Sequence, residues 1–191
     1  QNNEAFWANK KYALTLGIKK ARFKHLLFTD ADCVPQSEFW IEHMVAGFAP
    51  EKRLVLGYGG YFKNKKSLLN KLIRYETLLT AIQYFSYAGA GKPYMGVGRN
   101  LAYTSDLFYE QKGFANHLHL RSGDDDLFVN EAGNAENTSG IINEKAITRS
   151  IPKRSYRDWF EQKRRHVSVA KHYKLSDQML LGIFYVSRVA F

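Results

Sequence analysis

A short apolar run that ends in two aspartates constrains this chain more than any other feature of its sequence. Leu26-Leu27-Phe28 has the length and composition of a buried strand, and Thr29-Asp30-Ala31-Asp32-Cys33 follows directly. Ligands of open α/β sheets bind at the carboxyl ends of strands, where two carboxylates can share Mg²⁺ or Mn²⁺. A solvated turn is the alternative interpretation, because Asp is a common turn residue.

The rest of the chain alternates helical and extended patterns, which predicts an α/β domain. Helices are predicted over residues 6–21, 35–48, 67–87, 105–111, 122–132 and 156–173, and strands over residues 23–28, 54–58, 99–103 and 141–149. The glycine-rich loop at residues 89–98 lacks the Gly-Lys-Ser/Thr ending of a phosphate-binding P-loop. We expect its glycines to let the backbone approach a partner closely.

Charge and cysteine content narrow the classes of partner and compartment. The 191 residues fit one domain or a large part of one, and the net charge of +10 favours nucleic acid, an anionic membrane surface or a phosphorylated substrate. A single cysteine excludes an intramolecular disulfide and fits a reducing compartment. No base motif surrounds Cys33, so we interpret it as a small buried residue rather than a nucleophile.

Two further charged motifs have both a functional and a structural interpretation. Asp124, Asp125 and Asp126 fall in the first turn of the predicted helix over residues 122–132, where acidic residues also suit the helix dipole. Residues 162–166 lie in the strongly basic predicted helix over residues 156–173, where a charge run can equally be a solvated face. Helix capping and surface solvation are therefore the alternatives to a binding role.

The last residues of the chain are apolar. Residues 176–191 are too short for a bilayer span, which needs about 20 apolar residues. They are consistent with an interfacial helix, a packed terminal helix or the start of a membrane span.

Four motifs occur in a recognisable order along the chain. They are Asp30-Ala31-Asp32, Gly98-Arg99-Asn100-Leu101-Ala102, Gly123-Asp124-Asp125 and Gln162-Lys163-Arg164-Arg165-His166. Their order resembles that in the family 2 glycosyltransferases of the processive-synthase-like group, which have a GT-A fold. The motifs of that family are Asp-x-Asp, Gly-x-Asn, Thr/Gly-Glu/Asp-Asp and Gln-x-x-Arg-Trp. The resemblance covers residues 6–191, with His166 where the family has Trp. The family's N-terminal βαβ portion is missing, so the chain is expected to be a fragment.

The resemblance implies an inverting, metal-dependent transfer of a sugar from a nucleotide-diphosphate donor to a hydroxyl of a glycan or lipid-linked acceptor. Asp125 is the expected base for that hydroxyl, and Asp124 is expected to orient it. Asp32 and Asp30 are expected to bind the metal, Mg²⁺ or Mn²⁺, and the donor. The other motif residues divide into a donor side (Gln162, Arg164 and Arg165) and an acceptor side (Gly98, Arg99, Asn100 and His166).

The resemblance also implies an overall organisation and location. Residues 1–175 would form a partial catalytic domain, a GT-A-like sheet with flanking helices that is incomplete at the N-terminus, and residues 176–191 a separate apolar segment. A UDP-sugar would be the favoured donor, and the protein would associate with a membrane, at the cytoplasmic face of a bacterial inner membrane. Two other classes stay open: a basic nucleic-acid-binding domain and a non-catalytic membrane-associated scaffold. Nucleic acid is not expected, because no standard motif for it is present and it leaves the aspartates unexplained.

Overall fold

The structure is a computed structural model that describes residues 9–120 and 122–190. Its helices are α1 (Asn9–Lys20), α2 (Trp40–Val45), α3 (Leu68–Gly89), α4 (Ser105–Glu110), α5 (Asp126–Ala132), α6 (Tyr156–Ala170) and α7 (Leu175–Ala190). Its strands are β1 (His25–Phe28), β2 (Cys33–Pro35), β3 (Leu54–Leu56), β4 (Gly59–Tyr61), β5 (Leu101–Thr104), β6 (Thr138–Gly140) and β7 (Thr148–Ser150). The predicted start of the first helix, at residues 6–8, lies outside the described residues.

The main sheet has four strands in the order β1-β5-β3-β6. Strand β5 pairs antiparallel with both β1 and β3, whereas β3 pairs parallel with β6. All three residues of β3 are at most 1% exposed, as expected for an apolar strand covered on both faces. Phe28 at the end of β1 lies opposite Leu101 at the start of β5. This register brings the turn after β1 beside the loop before β5, which places the first two motifs together.

A second sheet has three strands in the order β2-β7-β4. Strand β2 pairs antiparallel with β7, and β4 pairs parallel with it. Strands β2 and β4 are absent from the sequence prediction, because each has only three residues and contains Pro35 or the Gly59-Gly60 pair, which are poor strand signals.

The single strand predicted over residues 141–149 is wrong. The chain instead forms β6, a 3₁₀ turn at Glu144–Ala146, and then β7. The side chain of Asn143 accepts a hydrogen bond from the backbone N–H of Lys145 and begins that turn. Local side-chain hydrogen bonds of this kind compete with a strand ladder, and here only Thr148 and Arg149 of the predicted range lie in a strand.

Aromatic rings join the main sheet to α4 and α5. The ring centroid of Tyr103 on β5 lies 4.5 Å from that of Phe128 on α5, and the centroid of Phe108 on α4 lies 5.9 Å from Phe128. All three side chains are at most 2% exposed. Helix α5 is therefore fixed in the core, and its first residues have a defined position relative to the sheet.

Helix α3 contacts both of the last two helices of the chain. Lys163 on α6 forms an ion pair with Glu76 on α3 at 2.6 Å, and the hydroxyl of Tyr87 on α3 donates to the carbonyl of Leu180 on α7 at 3.3 Å. Within the described ranges, no helix combines the length and the apolar character needed to cross a bilayer.

Candidate functional site

The acidic motif after β1 forms a compact cluster of ligand atoms. Asp30 and Asp32 lie in the turn between β1 and β2, where the N–H of Cys33 donates to the carbonyl of Asp30 at 3.0 Å. One ligand atom each from Asp30, Asp32 and Cys33 lies within 4.8 Å of the others. Burial, followed by the charges of Asp30 and Asp32, raises the pKa of the Cys33 thiol, which keeps it protonated. The two carboxylates thus fit a hard cation such as Mg²⁺ or Mn²⁺, and the thiol is a poor ligand for it.

Lys10 on α1 links this turn to the third motif. Its Nζ lies 2.9 Å from Asp30 Oδ1 and 2.7 Å from Asp124 Oδ2. Burial alone lowers the pKa of Lys10, but the charge and hydrogen bond of Asp124 and the hydrogen bond of Asp30 outweigh it, and the net shift is upward. Lys10 is therefore a permanent cation between carboxylates that are 94 positions apart in sequence (30 and 124).

The three consecutive aspartates have three different environments. Helix α5 begins at Asp126 rather than at residue 122, and Asp125 is its N-cap, with Oδ1 accepting from the N–H of Asp126 at 2.9 Å. Gly123 turns the chain into this cap with a positive φ of 94°. The prediction that all three aspartates lie in the first helical turn is therefore wrong, because the backbone before Asp126 is still in a turn.

Asp125 contacts the second motif directly. Its Oδ2 accepts a hydrogen bond from the N–H of Gly98 at 2.6 Å. A Cβ on Gly98 would lie 3.2 Å from that oxygen and 3.3 Å from Lys10 Nζ, so a larger residue would crowd the site. The close approach expected of the glycine-rich loop is thus present at this position.

Asp124 and Asp126 are both buried, but their side chains contact different parts of the protein. Burial and the charge of Asp125 raise the pKa of Asp124, against the effect of Lys10. Burial and Asp125 also raise the pKa of Asp126 to about 7, although the hydroxyl of Tyr173 donates to Asp126 Oδ2 at 3.0 Å and opposes the shift. Asp124 belongs to the candidate site through Lys10, whereas Asp126 binds Tyr173, in the segment between α6 and α7.

A buried lysine that the sequence does not single out binds the backbone next to the acidic motif. Lys11 is 1% exposed, and its Nζ donates to the carbonyls of His117, Leu120 and Ser122 at 2.6, 3.1 and 2.8 Å. Ser122 directly precedes Gly123 and the aspartates. No sequence signal separates Lys11 from the neighbouring lysines of α1, because its burial results entirely from tertiary packing.

The side chain of Asn100 is used within the protein. It is fully buried, and its Nδ2 donates to the carbonyls of Tyr58 and Ala146 at 3.0 and 2.6 Å, while Oδ1 accepts from Trp40 Nε1 at 3.0 Å. These bonds join the loop before β5 to both sheets. The side chain of Asn100 therefore supports the loop, and its place on the acceptor side stays a prediction.

Arg99 is anchored through its backbone and carries its guanidinium across a tyrosine ring. Its carbonyl accepts from the hydroxyls of Thr29 and Thr148 at 3.0 and 2.8 Å, and its Cζ lies 4.4 Å from the ring centroid of Tyr61. Arg99 Nη1 is buried and has no hydrogen-bond partner among the described residues.

The fourth motif lies on α6, close enough to the acidic site for the charges of Arg99 and Asp30 to act on His166. Gln162 is half-buried, and Arg164, Arg165 and His166 are exposed. The pKa of His166 is lowered to about 4 by burial and by the positive charges of Arg165, Lys163 and Arg99, and the charge of Asp30 opposes this shift. His166 nevertheless keeps substantial contact with solvent. Among the described contacts, the four predicted residues of α6 form no hydrogen bond with the acidic site. The site therefore unites Asp30, Asp32, Asp124, Asp125 and Gly98, with α6 within electrostatic range.

Comparison with known proteins shows a likeness in fold. No family model matches the chain, and no curated protein matches it either. The fold is similar to that of a solved structure, the mannosyltransferase PcManGT from Pyrobaculum calidifontis in complex with GDP-Man and Mn²⁺. The TM-score is 0.50 at 18% sequence identity, and the match covers 78% of this chain and 38% of that one. At this identity the likeness concerns the fold, a mixed α/β architecture of sheets and flanking helices.

Proposed function

We propose that the chain is part of a metal-dependent glycosyltransferase of family 2 with a GT-A fold, which uses a nucleotide-sugar donor. The observation that carries the proposal is that two pairs of aspartates, distant in sequence, lie together in one site. Asp30 and Asp32 form a cation-compatible pair, Asp125 is held by the N–H of Gly98, and Lys10 bridges Asp30 to Asp124. The fold likeness to a mannosyltransferase supports the same class.

The acidic pair would serve the donor. Asp32 and Asp30 would hold Mg²⁺ or Mn²⁺, which when bound neutralises charge on the departing nucleoside diphosphate. The amide of Gln162 and the guanidinium groups of Arg164 and Arg165 on α6 would contribute donors to the phosphate oxygens, for which guanidinium groups are well suited.

Asp125 would act on the acceptor. As the acceptor oxygen bonds to the anomeric carbon, the bond from that carbon to the phosphate oxygen breaks, and the acceptor proton passes to Asp125. A single displacement of this kind inverts the configuration at the anomeric carbon. The N–H of Gly98 fixes the position of the Asp125 carboxylate at 2.6 Å. The ion pair with Lys10 fixes Asp124, the residue directly before Asp125. Arg99 and His166 would border the acceptor, a glycan or lipid-linked hydroxyl.

Thermal denaturation with metal and nucleotide tests the donor site. Mn²⁺ together with GDP or UDP should raise the melting temperature more than either component alone, and by about 5–10 °C at 100 times the dissociation constant. Asp32→Asn should remove that joint effect. Asp106→Asn is the matched control, since Asp106 is an exposed carboxylate paired with Lys24 at 2.7 Å. If no nucleotide and metal combination stabilises the full-length protein, the proposal is wrong.

The base assignment has its own test. Asp125→Asn should bind nucleotide and metal as the wild type does, and should release nucleoside diphosphate from a sugar nucleotide about 10²–10⁴ times more slowly. Normal binding with wild-type turnover would exclude Asp125 as the base.

We further propose that the protein works at a membrane surface, at the cytoplasmic face of a bacterial inner membrane. Helix α7 carries a row of exposed apolar side chains at helical spacing, and each of them is at least 62% exposed: Leu175, Met179, Ile183 and Val186. Exposed apolar residues also follow one face of α3, among them Leu68, Leu72, Tyr75 and Ile82. The net charge of +10 complements anionic lipid.

A further inference from the structure

The side chain of Arg99 occupies a prepared position. Its carbonyl is held by hydroxyls from the ends of two different sheets, those of Thr29 and Thr148. A Cβ on Gly59 would lie 2.7 Å from Arg99 Cβ and 3.3 Å from Arg99 Nε, so the glycine leaves the space that the arginine fills. The guanidinium then lies over the Tyr61 ring. The backbone, the space beside it and the aromatic surface all define one orientation of this side chain.

The charge of this guanidinium is not balanced within the described chain. Arg99 Nη1 is buried without a hydrogen-bond partner, and Arg99 forms no ion pair with a described carboxylate. Burying a cationic donor without an acceptor is costly, so such groups are found where a ligand supplies the acceptor.

Other positive groups act on the same neighbourhood. Burial raises the pKa of the Tyr58 hydroxyl, and the charges of Arg99, Arg74 and Arg149 act in the opposite direction. Like Arg99, Arg74 and Arg149 form no ion pair with a described carboxylate. The excess of positive charge favours an oxyanion of high charge, such as phosphate, over a carboxylate.

Arg99 adjoins both proposed subsites: the hydroxyl of Thr29, which precedes Asp30, donates to its carbonyl, and Gly98 precedes it in the chain. Arg99 directly follows Gly98, whose N–H binds the carboxylate proposed as the base. The base must touch the acceptor hydroxyl, so the residue beside its anchor borders the acceptor. The donor diphosphate would instead be held at Asp30 and Asp32.

We propose that Arg99 binds a phosphate group on the acceptor, close to the hydroxyl that receives the sugar. This inference rests on the proposed function, and it specifies the acceptor as a phosphorylated molecule. Arg99 is then a specificity-determining residue, because an acceptor without the phosphate would leave the buried Nη1 of its guanidinium without a partner.

The test uses methyl phosphate as the probe, on the complete chain saturated with Mg²⁺ and the better of GDP and UDP. Methyl phosphate should raise the melting temperature further, beyond sodium chloride of equal ionic strength. Arg99→Gln should weaken this binding about tenfold or more, because the charge-assisted bonds are lost. Arg99→Lys keeps the charge and should give an intermediate loss. Arg157→Gln is the matched control, since Arg157 is exposed and paired with Glu161.

Each alternative outcome overturns a defined statement. If methyl phosphate does not stabilise the wild type, or binds Arg99→Gln and Arg99→Lys as well as the wild type, there is no phosphate site at Arg99. If Arg99→Gln instead loses nucleotide binding, Arg99 serves the donor. If acetate binds as tightly as methyl phosphate, the phosphate assignment is wrong. Absence of any nucleotide effect in the wild type marks failure of the proposed function itself, and it is seen before methyl phosphate is added.

Discussion

Replacing Lys11 by methionine isolates the interaction that supports the acidic motif. Methionine has nearly the same length and fills the same space, but it cannot donate hydrogen bonds. The change leaves the carbonyls of His117, Leu120 and Ser122 without their donor. It also removes an ammonium group whose burial lowers its pKa, although Asp124, Asp126 and Asp125 partly compensate.

The expected loss follows from these two opposing effects. Leaving one buried and two partly buried carbonyls without their donor costs at most about 1 kcal/mol each, or about 3 kcal/mol in total. Relief from burying a charge returns part of that energy. We therefore expect the free energy of unfolding to fall by about 2–3 kcal/mol, which lowers the melting temperature of a chain of this length by about 4–12 °C.

The assay is urea denaturation followed by circular dichroism, with Lys19→Met as the control. Lys19 lies on the same helix and is exposed, so its replacement should change the free energy of unfolding by less than about 0.5 kcal/mol. Lys11→Met should also lose turnover at temperatures where it is fully folded, because Ser122 leads into Asp124 and Asp125. A Lys11→Met protein as stable as the Lys19→Met control would refute the reasoning, since the three hydrogen bonds would then contribute nothing.

Three further predictions concern the turn, the buried acid and the exposed helix. Gly123→Ala should destabilise the fold by about 1–3 kcal/mol, because φ is positive and the new Cβ would lie 2.5 Å from Leu127 Cδ1. As a control, Gly17→Ala in open space on α1 should stabilise the fold by about 0.5–1 kcal/mol. Thermal denaturation measures both changes. The pKa of Asp126 is raised to about 7 in the folded protein, so the stability that its protonated form provides is complete below about pH 4 and is lost as the pH rises through 7. The free energy of unfolding of Asp126→Asn, minus that of the wild type, should therefore increase from pH 4 to pH 8, and a constant difference in urea denaturation would contradict this. Ile183→Ser should weaken co-sedimentation with anionic phospholipid vesicles about tenfold, through lost apolar burial, and unchanged binding would argue against α7 as the contact.

The part of the site that the sequence predicts is the part determined locally. A short apolar run followed by Asp30 and Asp32 is enough to place two carboxylates in a turn after a strand, and the structure confirms that arrangement. The close approach at Gly98 is also anticipated from the glycine-rich loop. In both cases a few neighbouring residues determine the backbone, so tertiary packing has little to change.

Predictions fail where a tertiary contact outweighs a local pattern. Most of the range 141–149 is not a strand, because Asn143 begins a 3₁₀ turn there. The three-residue strands β2 and β4 are too short to show a period. The sequence also gives no sign that the side chain of Asn100 bonds to Tyr58, Ala146 and Trp40. The nearest sequence signal is Gly57, where a Cβ would lie 2.5 Å from the Asn100 amide. A glycine opposite a buried amide becomes informative only when the pairing of strands is known.

Lys10 explains why motifs so distant in sequence form one site. The carboxylates of Asp30 and Asp124 both lie within 3 Å of its ammonium, and the charge of Asp125 acts on it as well. Without that cation, several carboxylates of like charge would gather at one point and repel one another. A divalent cation at Asp30 and Asp32 would share Asp30 with Lys10, so the lysine keeps the acidic site assembled before any ligand binds. Electrostatic balance of this kind depends on which charges meet in space, and no spacing along the chain reveals it.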